Sequence, residues 1–191
     1  RQRQMCIRDR KAFGACQDVT LEYPVAENEG EEDNTYLSYN MVVGNAADSQ
    51  MAMAFEVLDY ALLSAPGAPL KQALLDVKAG KDVYGSYDDG ILQPYFTVIA
   101  KGSNPDRKEE FVSVIRQVLG DIVKNGIDRK AVEAGINYFE FRYREADFSS
   151  YPKGLMYSLD ILGDWLYEKG NPFAQVQQWN VRHLSGLPCL L

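Results

Sequence analysis

Residues 82–101, DVYGSYDDGILQPYFTVIAK, decide the class of fold. Val83 to Tyr87 predict one strand, Asp88-Asp89-Gly90 a turn, and Ile91 to Lys101 a second strand, so the stretch forms a hairpin. Pro94 has no backbone N–H to give to a neighbouring strand, and we therefore expect it at a sheet edge or a bulge. The stretch predicts an antiparallel pair of strands in the middle of the chain.

One strand and two helices are predicted before this hairpin. Apolar and polar side chains alternate over residues 35–43, which is typical of a half-buried strand. Apolar side chains then recur every three or four residues over 49–64, and this pattern predicts a helix that Asp48 or Ser49 caps. A Pro-Gly-Ala-Pro break follows, and Pro69 suits the first position of a second, shorter helix.

Three helices are predicted after the hairpin. The longest apolar period follows Asn104-Pro105 and ends at Gly126, Asp128 caps the next helix, and a third helix stops before Gly170. A further helix is expected within residues 173–185. The predicted apolar positions of the second and third of these helices are Val132, Ile136, Phe139 and Tyr143, then Leu155, Leu159, Leu162 and Leu166.

This order of elements predicts an α+β fold. A small antiparallel or mixed sheet of about three strands is covered by helices, which makes a two-layer domain. So few strands beside so many helices lead us to expect an incomplete fold, with further strands beyond the chain.

The chain divides into four predicted segments. Residues 1–10, RQRQMCIRDR, show no period and are expected to be a non-native tail, read through from a sequencing adapter, or a disordered one. Residues 11–33 end in clustered acidic residues and are predicted to be an acidic interdomain linker. The folded, non-catalytic domain is predicted over 34–185, and residues 186–191 form an unpatterned tail.

The charge of the chain excludes several classes of partner. The 191 residues carry a formal charge of −7, and because residues 1–10 hold +3, residues 11–191 carry −10. So acidic a chain lacks the basic surface of a nucleic-acid binder and is repelled by anionic lipid. It also has no apolar stretch long enough to span a membrane, and we expect no secretory signal because no apolar core follows the arginines of residues 1–10. Three cysteines, an odd number, favour a reducing compartment, and we expect a cytoplasmic protein.

The histidine count limits metal chemistry. His183 is the one histidine, and a zinc hydrolase site needs two or three histidines, or a mixture of His and Cys, beside an acid. We therefore predict no metal-binding and no catalytic residue in this chain, and no particular substrate-binding residue is identified. Ser150-x-x-Lys153 has the spacing of a serine/lysine acyl-transfer motif, but it precedes a helix and lacks its companion motifs. Cys189 with His183 lacks a third group that would orient the imidazole.

Two further clusters begin near the end of the predicted helix that Asp128 caps. Arg142, Arg144, Glu145 and Asp147 form either an interdomain or substrate-facing patch, or ordinary ion pairs on a solvated helix face, which is the favoured interpretation. A run of aromatic side chains is expected to be mostly core, with one or two lining a groove against another domain. Its members are Tyr138, Phe139, Phe141, Tyr143, Tyr151 and Tyr157.

Several strings together resemble a known family. They are NTYLSYN at 34–40, LDYALLSAPGAPLKQAL at 58–74, DVYGSY at 82–87, ILQPYF at 91–96, FEFRYREADF at 139–148 and YPKGL at 151–155. Their order and spacing resemble the M16 (insulinase/pitrilysin) metallopeptidases, and among these the presequence-protease-like M16C subfamily, over about residues 20–180. The longer strings are similar to the bacterial presequence-protease type, so the resemblance implies a bacterial protein. The element of Pro69, Leu70 and Leu74 is similar to one that recurs across M16 domains.

The resemblance implies an M16-like (LuxS/MPP-like) fold and a place in a larger enzyme. Family members have four similar α+β domains in two halves that close around a peptide. The first domain carries His-x-x-Glu-His, whose zinc polarises the scissile carbonyl while the Glu acts as general base on the metal-bound water. This chain has no such motif, so the resemblance implies the second, non-catalytic domain of the N-terminal half.

The resemblance also implies a function. The chain is expected to be a fragment of a zinc-dependent metalloendopeptidase that degrades oligopeptides, inactive alone, with zinc in the parent enzyme and no cofactor in this chain. It would pack on the catalytic zinc domain of the same full-length chain and wall the chamber that holds peptide substrates. The alternative is a stand-alone non-catalytic M16-like subunit that partners a separate catalytic chain. An unrelated hydrolase using Ser150 and Lys153 is a third, weaker hypothesis.

Overall fold

A computed structural model describes residues 13–26, 30, 32–46, 48–145, 150–166 and 173. The segment 1–10, the tail 186–191 and all but residue 173 of the helix expected at 173–185 lie outside these described residues. Within the described part of the chain, no helix is both long and apolar enough to cross a membrane.

The order of strands and helices is the predicted one, and the α+β class is confirmed. Three strands and five α-helices are described, with a π-helical turn at Tyr60–Ser64 and a 3-10 turn at Pro105–Arg107. The bounds are β1 Thr35–Val42, α1 Ser49–Asp59, α2 Pro69–Asp76, β2 Asp82–Asp88, β3 Tyr95–Ser103, α3 Lys108–Asn125, α4 Arg129–Glu145 and α5 Lys153–Leu166.

The helix starts follow from local chemistry. The Asp48 carboxylate accepts the backbone N–H of Met51 at 3.0 Å, so α1 begins with a side-chain cap. Pro69 occupies the first turn of α2, where its missing N–H would have had no partner. The Asp128 carboxylate accepts the N–H of Lys130 at 3.0 Å at the start of α4. These starts therefore agree with the sequence predictions.

The sheet is antiparallel, and its strand order is β1-β3-β2. The last strand in the chain therefore lies in the centre. Ala100 of β3 pairs with Leu37 of β1 on one side and with Val83 of β2 on the other, which puts these three side chains on one face. The two earlier strands are both at sheet edges.

The predicted position of Pro94 is wrong, as is the predicted start of the second hairpin strand at Ile91. β3 begins at Tyr95, and Pro94 is fully buried just before it, neither at a sheet edge nor in a bulge. Its carbonyl oxygen accepts a hydrogen bond from the backbone N–H of Val43 at 2.8 Å. Asp88 ends β2 rather than starting the turn, and its carboxylate accepts the N–H of Gly90 at 2.9 Å.

One face of the sheet holds the core. The larger buried cluster lies between this face and the helical layer formed by α1, the π-helical turn, α2 and α3. A smaller cluster joins α1 to α4 and includes Val57, Val132, Phe139 and Tyr143. The predicted stripe of α4 is thereby confirmed, with Ile136 partly buried beside it. On the opposite sheet face, Tyr36 and Tyr84 stay exposed.

Candidate functional site

Both residues of the candidate acyl-transfer pair are exposed, and its lysine forms a hydrogen bond elsewhere. Ser150 lies in a turn ahead of α5, and Lys153 is the first residue of that helix. The Lys153 ammonium donates to the backbone carbonyl of Glu145 at 3.1 Å. A serine nucleophile of this type needs its lysine as a base, and here the ammonium serves to hold the end of α4. His183 and Cys189 lie outside the described residues.

Metal chemistry has no candidate in the described part of the chain. No group of three or more His, Cys, Asp or Glu residues there is arranged to hold a metal ion.

The charged cluster of α4 contains an ordinary helical ion pair. Arg144 Nη2 lies 2.5 Å from Glu140 Oε1, one turn earlier on the same helix. Pairs at this spacing stabilise a helix by a few tenths of a kcal/mol at most. The contact fits the favoured interpretation of the cluster, and Asp147 lies outside the described residues.

Fewer of the aromatic side chains are buried than the sequence led us to expect. Phe139 and Tyr143 are buried against α1, and Tyr157 of α5 is partly buried with them. Tyr138, 47% exposed, stacks on Tyr60 with ring centroids 4.9 Å apart, and Phe141 is 64% exposed. Residues 139 and 143 share a helix face, whereas 138 and 141 lie about 100° or more away from it. Tyr151 is exposed as well.

The last helix turns its apolar side outward. Its exposed apolar side chains are defined here as the α5 stripe, and each is about half exposed or more. They are Leu155 at 48%, Leu159 at 53%, Leu162 at 55% and Trp165 at 67%. Periodicity predicted this helix correctly, but it could not show that the stripe lies on the surface.

The extended segment 13–26 runs beside β1 and α3, within the predicted linker. Val19, Leu21, Tyr23 and Val25 from this segment line a groove of about 840 Å³ that also touches Leu37 and Phe111. The Tyr23 hydroxyl donates to the carbonyl of Asn34, and its ring meets the Tyr36 ring edge-on at 6.0 Å. The alternating apolar residues are the sequence signal that this segment contacts the domain.

Asp33 holds the chain in place just before β1. Its carboxylate accepts the Asn104 side-chain amide at 2.8 Å, and Lys81 Nζ lies 3.4 Å away. The hydrogen bond from Asn104 and then the positive charge of Lys81 hold the pKa of Asp33 below its usual range. The entry into β1 is thereby tied to the start of β2 and the end of β3, which lie together at one end of the sheet.

Asp59 is a partly buried acidic residue that the sequence did not mark as a candidate. Its Oδ1 is buried and has no hydrogen-bond partner among the described residues. Burial raises the pKa of Asp59 to about 6. The residue precedes the π-helical turn, a feature often found at functional sites. The sequence signal is an acidic residue within the otherwise apolar run 57–63.

Comparison with known proteins identifies the family. Residues 9–139 match the family model described as the Peptidase M16 inactive domain. Protein HypA of Clostridium perfringens is 40% identical over 171 residues, which are 90% of this chain and 18% of that protein. Presequence protease 1 of Arabidopsis thaliana, chloroplastic/mitochondrial, is 29% identical over 173 residues, or 90% of this chain and 16% of that protein. The chain thus spans less than a fifth of the length of these relatives.

A solved structure shows the same fold. The inactive peptidase domain of a proposed zinc protease from Bordetella parapertussis superposes with a TM-score of 0.61 at 15% identity, covering 80% of this chain and 81% of that one. At that identity the likeness concerns the fold alone. The family match extends over more than half of the chain and coincides with the sheet and the helices packed on it. The chain therefore belongs to the M16 peptidase family and corresponds to its inactive domain.

Proposed function

We propose that this chain is the non-catalytic domain of a longer, zinc-dependent metalloendopeptidase that degrades oligopeptides in a bacterial cytoplasm. In that enzyme it packs on the zinc-bearing domain of the same polypeptide and forms part of the wall around the peptide substrate. Zinc and the groups that hold it belong to the other domain.

The match to the inactive M16 domain over residues 9–139 is the observation that carries this proposal. Two further observations support it. This chain spans less than a fifth of the length of each curated relative, and two of them are named as presequence proteases. The α5 stripe is an apolar surface of the kind that marks a contact between domains.

The direct test assays the full-length reading frame that contains this chain. The purified protein is given a fluorogenic oligopeptide before and after treatment with a chelator, and then with added Zn²⁺. We expect cleavage that the chelator abolishes and zinc restores. Residues 13–166 alone, with folding checked by circular dichroism, are expected to show no cleavage under the same conditions.

Two outcomes would contradict the proposal. Chelator-sensitive cleavage by the chain alone would mean that it carries its own active site. A reading frame that encodes no zinc-binding domain would favour the stand-alone subunit instead. Co-purification of the tagged chain with a separate M16 protein containing His-x-x-Glu-His would then identify its catalytic partner.

A further inference from the structure

The α5 stripe stands out because amphipathic helices elsewhere in the domain bury their apolar side. Phe111 and Ile115 of α3 are at most 1% exposed, whereas Leu159 and Leu162 of α5 are 53% and 55% exposed. Among the described residues, α5 contributes only Tyr157 to the two buried clusters. The helix is therefore attached to the domain, but its apolar side is not used in the attachment.

The attachment also holds the stripe outward. The Tyr157 hydroxyl donates to the carbonyl of Tyr143 at 2.7 Å, and Lys153 donates to that of Glu145. At 100° per residue, Tyr157 lies about 140–160° around the helix from Leu155, Leu159 and Leu162. The stripe cannot turn toward the core while Tyr157 keeps its place there.

We propose that the α5 stripe is the docking surface for another domain of the same, longer polypeptide. This rests on the proposed function and adds to it the surface that makes the contact. The docking face of that domain has an apolar centre, into which Leu159 and Leu162 pack, inside a polar rim. Apolar anchors at the centre of an interface with a polar rim are the usual arrangement.

Chain length and charge favour this occupant over a second copy of the chain. The chain spans 18% and 16% of two curated relatives, so most of such a polypeptide would be tethered to it. A tethered domain is present at an effective concentration in the millimolar range. Each copy carries −7, so two identical copies of the chain repel each other. Both effects oppose pairing of identical copies.

Cysteine labelling in the full-length protein tests the proposal. Cys6, Cys16 and Cys189 are changed to Ser, and Leu159→Cys, Leu162→Cys and Val123→Cys are made one at a time. Val123 is the matched control, since it is an apolar helical residue on α3 and is 86% exposed. Each protein is treated with a maleimide, and mass spectrometry of the labelled peptide follows the rate at that position.

We expect cysteine at 159 and 162 to react at least about tenfold more slowly than at 123 in the folded protein, because docking excludes the reagent. In denaturant all three should react at the same rate. Reaction at 159 and 162 as fast as at 123 in the folded protein would overturn the proposal. Protection that disappears on a hundredfold dilution would overturn it too, because it would identify a second copy as the occupant.

Peptide cleavage by the same preparations separates this proposal from the proposed function. A preparation that cleaves peptide with zinc but is labelled at 159 and 162 as fast as at 123 would contradict only the docking proposal. A preparation that is protected from labelling at 159 and 162 but shows no zinc-dependent cleavage would contradict only the proposed peptidase function.

Discussion

Asp59 is a residue whose ionised side chain destabilises the fold, because its carboxylate is partly removed from water. Its carboxylate lies against β2, where Oδ1 is buried without a hydrogen-bond partner among the described residues. Burial raises its pKa from 3.8 to about 6. The folded state therefore holds this proton more tightly than the unfolded state does. The resulting stabilisation is complete below pH 3.8 and is lost as the pH rises through about 6.

We predict that Asp59→Asn removes this pH dependence. A shift of this size corresponds to roughly 2–3 kcal/mol, so the variant should gain about 2 kcal/mol relative to wild type between pH 4 and pH 8. Urea unfolding at the two pH values measures the difference. Asp121→Asn, an exposed carboxylate on α3, is the control and should show little change. If the difference in free energy of unfolding between Asp59→Asn and wild type is the same at pH 4 and pH 8, Asp59 has no raised pKa.

Gly85 is required by the close packing of the π-helical turn on β2. A Cβ placed there would lie 2.2 Å from Leu63 Cδ1 and 2.8 Å from the backbone carbonyl oxygen of Thr97. We predict that Gly85→Ala lowers the free energy of unfolding by about 3 kcal/mol, as overpacking does. A Cβ placed on Gly120 of α3 would have no neighbour within 4 Å, so Gly120→Ala should raise the free energy of unfolding by about 0.5 kcal/mol. Urea unfolding compares the two, and equal effects would contradict the packing argument.

At the scale of elements, local signals placed helix starts well and strand limits less well. Caps and prolines act on their neighbours in sequence, which is why Asp48 and Pro69 marked α1 and α2 correctly. The start of β3 depends on which residues find partners in β1, so the apolar run from Ile91 extended the predicted strand too far. Partner choice is a tertiary property.

The attachment of α5 is the clearest element to test. Tyr157→Phe removes the hydroxyl that donates to the Tyr143 carbonyl and should cost about 1 kcal/mol. Amide hydrogen exchange in α5 should quicken more than exchange in α3. Tyr151→Phe, where the ring is 62% exposed, should leave both unchanged. Equal exchange in α5 for wild type and Tyr157→Phe would mean that other contacts hold the helix.

At the scale of the whole molecule, charge and apolar surface oppose each other. The chain carries −7, which keeps copies apart, while the α5 stripe would draw apolar surfaces together. Salt screens the first effect far more than the second.

We therefore predict that the isolated chain associates as salt is raised. Size-exclusion chromatography with light scattering should give a larger mass at about 1 M salt than at about 0.05 M, where the screening length is several-fold longer. The double variant Leu159→Ser, Leu162→Ser should stay monomeric at both, and Val123→Ser should behave as wild type. A wild-type monomer at high salt and high protein concentration would contradict this.

By itself, the sequence determined the α+β class, the order of the elements, the buried stripe of α4 and the likeness to the M16 family. Periodicity, caps and turns are local, and a family pattern is read along the chain. Only the tertiary structure decided that β3 lies between β1 and β2, that Asp59 Oδ1 is buried beside Gly85, and that the α5 stripe faces outward. Each of these depends on which distant residues meet in space, because burial is a relation between elements and no single segment specifies it.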